Sequence, residues 1–79
     1  MQTKKNITPF NEKGEHHGYW EVYYNNYWLA YKGTYVNGIR HGFWEQRYIG
    51  GETYLKGNYV NGEKVGIWFE YGKELFYAN

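Results

Sequence analysis

The chain reads as short runs in which ring-bearing and polar positions alternate, broken at fixed places by turn residues. Asn37-Gly38 and Asn61-Gly62 are the dipeptide favoured in two-residue hairpin turns, where both positions need φ above zero. Asn25-Asn26, Ile49-Gly50-Gly51 and Gly72-Lys73 can each reverse the chain as well. Strands are thereby predicted over roughly 17 to 24, 27 to 36, 39 to 48, 51 to 60, 63 to 71 and 74 to 78. The predicted fold is all-β: a single-layer antiparallel meander of about six strands.

The pattern repeats. Gly18, Gly42 and Gly66 recur every 24 residues, as do Trp20, Trp44 and Trp68, and Gly14, Gly38 and Gly62. Lys32 with Lys56, Gly33 with Gly57, Tyr35 with Tyr59, Val36 with Val60 and Asn37 with Asn61 extend the match across the unit. A fixed period in this range implies stacked copies of one supersecondary unit. Residues 11–79 are then two full units and a shortened third. Residues 1–10 form a lead-in that either caps the array or stays disordered.

Two-residue turns fix the register of a hairpin. They predict Gly33 facing Gly42 and Tyr31 facing Trp44, with Gly18 opposite Gly33 and Trp20 opposite Tyr31. A row of glycines, Gly18, Gly33, Gly42, Gly57 and Gly66, then runs beside a row of large side chains, Trp20, Tyr31, Trp44, Leu55 and Trp68. Rings can lie flat over bare backbone and bury area without a second sheet; each aromatic side chain buries about 150 to 250 Å². The opposite face reads Tyr19, Lys32, Phe43, Lys56, Ile67, then Glu21, Ala30, Glu45, Tyr54, Phe69, then Tyr23, Trp28, Arg47, Glu52, Tyr71. It exposes more aromatic area than solubility needs, which makes Tyr19, Trp28, Phe43, Tyr54, Phe69 and Tyr71 a candidate partner surface.

Composition sharpens this picture. Of 79 residues, eleven are Tyr, four Trp, four Phe and eleven Gly, against one Pro. Rings favour strands and glycines favour turns or close backbone approach, so helix has little support. A chain this short buries only about 60% of its unfolded surface, so the core must be dense or helped by a partner. With 0 Cys, disulfides and thiolate metal sites are excluded. A net charge of +1 is too balanced for a general nucleic-acid or membrane-surface binder. No long uncharged apolar stretch occurs, so neither a signal peptide nor membrane insertion is expected, and the expected location is cytoplasmic.

Tyr31-Lys-Gly33-Thr-Tyr35-Val-Asn37-Gly38-Ile-Arg40-His41-Gly42 resembles the membrane occupation and recognition nexus (MORN) repeat: Tyr-x-Gly-x-aromatic-x-x-Gly, then a basic residue, His and Gly. Leu55 to Gly66 repeats it with Leu55 for Tyr and Val65 for His. Where the family usually has a second Gly two residues after the first, this chain has Trp20, Trp44 and Trp68. That is similar to the bacterial and phage variant Gly-x-Trp-x-x-Tyr, found in small proteins sometimes labelled antitoxin-like. The resemblance implies a MORN-type hairpin sheet that serves mainly for protein contacts, in a bacterium or a phage-infected cell. A fold alone does not assign the function.

His16, Arg40 and Lys64 occupy equivalent positions and share a row with Tyr35 and Tyr59. Interleaved cations and rings of this kind hold phosphates or stack bases, so an anionic ligand (nucleotide, nucleic acid or phospholipid headgroup) is the second class of candidate. The other histidines, His17 and His41, fall in one row with Thr34 but two strands apart, roughly 10 Å, which is too far for one metal. Glu21 and Glu45 match by repeat on an open sheet without a predicted cleft, and neither Ser nor Cys is present. Thr34 and Thr53 lack a base at a recognisable spacing. Neither an enzyme nor a cofactor is expected. The sequence therefore predicts a non-enzymatic protein-binding module acting by occlusion, as an inhibitor would. The anionic-ligand site and a self-assembling structural role are the alternatives. The last strand carries Leu75, Phe76 and Tyr77 and predicts packing against the sheet end, the lead-in or a second copy as a homodimer.

Overall fold

The computed structural model describes residues 5–25 and 27–78. Six strands form one antiparallel sheet in chain order: β1 (Gly18–Tyr23), β2 (Leu29–Val36), β3 (Ile39–Arg47), β4 (Thr53–Val60), β5 (Glu63–Glu70) and β6 (Lys73–Tyr77). Among the described residues there is no helix. The Cα envelope measures 43 × 35 × 11 Å. Its short side is about one sheet-to-sheet spacing, so the meander is a single twisted layer.

The Asn-Gly turns form as expected: Asn37 and Gly38 have φ of 49° and 85°, and Asn61 and Gly62 have 50° and 86°. The third tight turn is Tyr71-Gly72, at 51° and 85°, one residue earlier than expected, so Lys73 already belongs to β6. The remaining two connections are five-residue loops, 24–28 and 48–52, closed by Tyr24 N–H to the Trp28 carbonyl and Tyr48 N–H to the Glu52 carbonyl. Asn25 Oδ1 accepts the amides of Tyr27 and Trp28, while Asn26, the other half of the expected turn, lies outside the described residues.

The longer loops slide the register by two residues. Gly18 pairs with Tyr35 and Trp20 with Gly33, and in the next hairpin Gly42 pairs with Tyr59 and Trp44 with Gly57. Around Asn37-Gly38 the expected pairs Tyr35 with Arg40 and Thr34 with His41 hold, but beyond them Lys32 pairs with Glu45 and Tyr31 with Gln46. The extra residues of β3 are taken up in a bulge at Gly42, where φ is 81°, and the same bulge recurs in β5 at Gly66, where φ is 71°. Thus Gly33 does not face Gly42, Gly18 does not face Gly33, and Tyr31 faces neither Trp20 nor Trp44. A slide of two preserves the face of a strand residue, because side chains alternate with period two. Only the one-residue slips between Val22 and Tyr23 and between Gln46 and Arg47 turn residues over, Leu29 and Thr53; elsewhere among the described strands faces survive where rows do not.

The corrected ring row reads Trp20, Gly33, Trp44, Gly57, Trp68, Leu75. A Cβ built on Gly33 would fall inside the indole of Trp44, and one on Gly57 inside that of Trp68. Gly42 and Gly66 are not under rings: a Cβ there would meet nothing. Trp20, Trp44, Tyr59 and Trp68 are the buried apolar core. They belong to a ladder of edge-to-face contacts that crosses the sheet, from Trp20/Tyr35 at 5.4 Å through Tyr35/Trp44 and Tyr59/Trp68, both at 4.9 Å, to Trp68/Tyr77 at 6.4 Å. Each such pair adds about 0.5–1.5 kcal/mol beyond area burial. Every indole N–H in this ladder is satisfied by a carbonyl of the preceding strand or segment: Trp20 by Pro9 (2.9 Å), Trp44 by Thr34 (3.1 Å) and Trp68 by Asn58 (2.9 Å).

The lead-in is bonded to β1. Ile7 and Glu21 exchange two backbone hydrogen bonds, His17 N–H donates to the Pro9 carbonyl, and Phe10 bridges His16. Pro9 and Phe10 hold toward Trp20 the places that Thr34 and Tyr35 hold toward Trp44. Residues 5–10 thus imitate the last strand of a preceding unit and cover the first edge of the sheet, with Pro9 turned inward against Gly18.

Candidate functional site

The basic strip is assembled as the repeat implies, but its cations are occupied. The His16 ring stacks on Trp20 at 4.2 Å and 7°. The Arg40 guanidinium lies 4.9 Å from the Trp44 centroid and 5.6 Å from Tyr59, donating to the Tyr59 hydroxyl at 3.2 Å. Lys64 sits 4.8 Å from Trp68 and 5.3 Å from Tyr77, and pairs with Glu70 at 2.8 Å. Each unit therefore covers its own Trp with its own basic residue, while Tyr35 and Tyr59 stand between successive tryptophans. Burial alone would lower the Lys64 pKa, but the hydrogen bond and charge of Glu70 outweigh it and hold the ammonium above its usual value. Glu70 is lowered in turn by Lys64 and Tyr77.

On the opposite face, Glu21, Lys32, Glu45, Lys56, Phe69 and Glu74 are cross-strand neighbours in one row, correcting the expected rows by the same two-residue slide. Charges of alternating sign there are mutually supporting. Glu45 is buried and takes hydrogen bonds from Thr53 Oγ1 (2.6 Å) and Arg47 Nε (3.0 Å), with Lys32 Nζ at 3.8 Å. Burial pushes its carboxyl up, yet the Thr53 and Arg47 hydrogen bonds and the two cations prevail and hold it below 4.5. Glu21 accepts from the hydroxyls of Tyr19 (2.5 Å) and Tyr23 (2.7 Å). Burial and then the Glu21 contact push the Tyr19 phenol up to about 12. The two carboxylates matched by the repeat are thus built into the sheet's own networks.

The six candidate partner residues separate into two groups. Tyr19, Phe43 and Phe69 lie on this face, Tyr19 paired with Thr34, Phe43 with Asn58 and Phe69 with Lys56. Tyr19 is 44% exposed and Phe43 48%, while Phe69 is half-buried. Trp28, Tyr54 and Tyr71 gather at the loop end, where Tyr54 stacks between Tyr48 at 4.4 Å and Tyr71 at 5.5 Å. Two exposed residues extend the first group: Ile67 at 59% and Phe76, its cross-strand partner, at 69%. Ile67 repeats Tyr19 and Phe43 at the 24-residue period, which was the signal available for it. Phe76 falls in the shortened unit, outside that period.

The histidines also have structural partners. His17 Nδ1 accepts the Asn37 amide at 2.9 Å and His41 Nδ1 the Asn61 amide at 3.4 Å, each tying one unit to the next unit's turn. The row through Thr34 holds Tyr19 and His41, so His17 is displaced from it. Among the described residues no three His, Asp or Glu side chains are grouped to hold a metal, and no helix is long and apolar enough to cross a membrane. No family model, curated protein or solved structure matches the chain.

Proposed function

We propose that the protein is a non-enzymatic binding module that contacts a protein partner through the face carrying Tyr19, Phe43, Ile67 and Phe76. One observation carries it. The ring ladder and its basic covers use up one face within the molecule, whereas these four side chains, 44% to 69% exposed, form a stripe along the other. Three exposed rings with Ile67 among them have the composition of an interface core, and a few such residues dominate binding energy. The resemblance to MORN-type sheets supports the same class, and an inhibitor or antitoxin-like role by occlusion is its sharpest form.

Affinity capture from the host lysate with mass spectrometry, run on Phe43→Ala/Ile67→Ala beside wild type, tests this. We expect one protein to be lost with the double variant at unchanged melting temperature and retained by wild type at raised salt. Arg40→Gln/Lys64→Met is the comparison, since it removes cations without reversing them on the indoles they cover. Capture of nucleic acid or anionic vesicles that weakens steeply with salt, abolished by that second pair, would replace the protein-contact face by the basic strip.

A further inference from the structure

At the loop end of the sheet the first two hairpins close with five residues each, 24–28 and 48–52, and the third with Tyr71-Gly72 alone. The first long loop seals the second: a Cβ on Gly51 would meet the Trp28 ring at 3.4 Å, and the Tyr24 hydroxyl donates to the Arg47 carbonyl at 2.7 Å. The tight turn of the third hairpin is too short to be sealed in the same way. There the surface is hollowed into a cleft of about 260 Å³ between Tyr48, Glu52, Tyr54, Phe69 and Tyr71.

Two further features bear on its use. Tyr71 is held at φ 51°, the left-handed region, in the turn position that this chain fills elsewhere with Asn37 and Asn61. A bulky residue is less suited to that conformation than Asn, and such strain is concentrated at functional sites; here the ring extends the stack onto Tyr54 and remains 67% exposed. Glu52, meanwhile, makes no ion pair or side-chain hydrogen bond among the described residues. Glu74, the cross-strand neighbour of Phe69, brings a second carboxylate to this side of the sheet. The facing cations are Lys56, 6.0 Å from the Phe69 ring, and Arg47, the register partner of the cleft-lining Thr53, which is already bonded to Glu45 at 3.0 Å; Lys73 pairs with Glu70 on the ring-ladder face.

We propose that this cleft receives an arginine side chain of the protein partner, its guanidinium stacked against the tyrosine rings and donating to Glu52. This rests on the protein-contact reading and names the chemistry of one contact. The cleft is smaller than the ~300 to 1,000 Å³ of small-molecule sites, so it suits one side chain. Ring faces and an unpaired carboxylate both favour a cation, and a planar guanidinium can stack while it hydrogen-bonds, which an ammonium cannot.

The test is titration of the intact protein with acetyl-Gly-Arg-Gly-amide, followed by NMR. Saturable shifts confined to Tyr48, Glu52, Tyr54 and Tyr71 are expected. The lysine analogue should bind more weakly and the leucine analogue not at all. Glu52→Gln should weaken binding about threefold, in line with an exposed ion pair. Tyr71→Asn suits the turn, so it should keep or raise the melting temperature while losing the shifts. Equal shifts with the leucine peptide, or none with the arginine peptide up to its solubility, overturn the proposal. Capture lost by Phe43→Ala/Ile67→Ala yet fully kept by Glu52→Gln and Tyr71→Asn overturns the cleft and leaves the contact face standing.

Discussion

Leu75 stands across from Trp68 in the place that Gly57 holds across from Trp44. Inside the array that place must be bare, because the indole of the following unit lies on it: Trp44 on Gly33, Trp68 on Gly57. Among the described residues no indole lies on Leu75, which is 42% exposed, so a side chain is tolerated there. Three glycine-site substitutions separate space from backbone conformation. Gly57→Ala must displace the Trp68 indole, which is 1% exposed, at a cost at or above the upper end of the ~1–3 kcal/mol of overpacking. Gly42→Ala meets open space but strains a φ of 81°, about 1–2 kcal/mol. Gly50→Ala, exposed and at φ 106° with nothing near it, should resemble Gly42→Ala. Urea midpoints should fall furthest for Gly57→Ala, and equal midpoints for Gly57→Ala and Gly42→Ala would remove the ring-on-glycine interlock.

Those glycines also mark where the sequence was legible. The strand order and, but for Leu29 and Thr53 at one-residue slips, the two faces follow from alternation and the 24-residue period, which a slide of two residues leaves intact. The register does not follow, because identical letters do different jobs: Gly33 and Gly57 supply space, Gly42 and Gly66 supply positive φ for bulges. Asn25-Asn26 reads as a two-residue turn by composition, yet Tyr24 to Trp28 form the loop. The positions of His16, Arg40 and Lys64 were readable from the repeat. Their use as covers for Trp20, Trp44 and Trp68 was not, since it depends on that register.

Glu45 sets a pH dependence. Its carboxyl is held below 4.5 in the fold despite burial, because Thr53, Arg47 and Lys32 favour the charged form. A depressed folded pKa contributes stability above the unfolded value that is lost as pH falls through the folded one. Melting temperature should therefore be level from neutral pH down to about 5 and drop below that. Glu70, lowered by Lys64 and Tyr77, acts in the same direction from a better-solvated site and more weakly. Glu45→Gln should be less stable than wild type at neutral pH and should flatten the acid limb. An unchanged acid limb in Glu45→Gln would mean that another carboxylate carries it.

The two ends of the array are unlike, and this governs assembly. Residues 5–10 cover the outer edge of β1, whereas among the described residues nothing pairs with the outer edge of β6. Addition of another unit in the manner of the interior is blocked there, because Leu75 fills the place where an indole would lie. A pairing that remains open to β6 is with its own copy, edge to edge about a two-fold axis, which closes both β6 edges at once. Such a contact joins five-residue strands and buries little, so it should be weak. We expect sedimentation to show a monomer at low micromolar concentration and a dimer at high micromolar concentration. Phe76→Lys, at a side chain 69% exposed and outside the ring ladder, should abolish the dimer without lowering the melting temperature. A strict monomer at high micromolar concentration would leave the six-stranded sheet as it is and assign the exposed Phe76 wholly to the contact face, where its loss should weaken partner capture alongside Phe43→Ala.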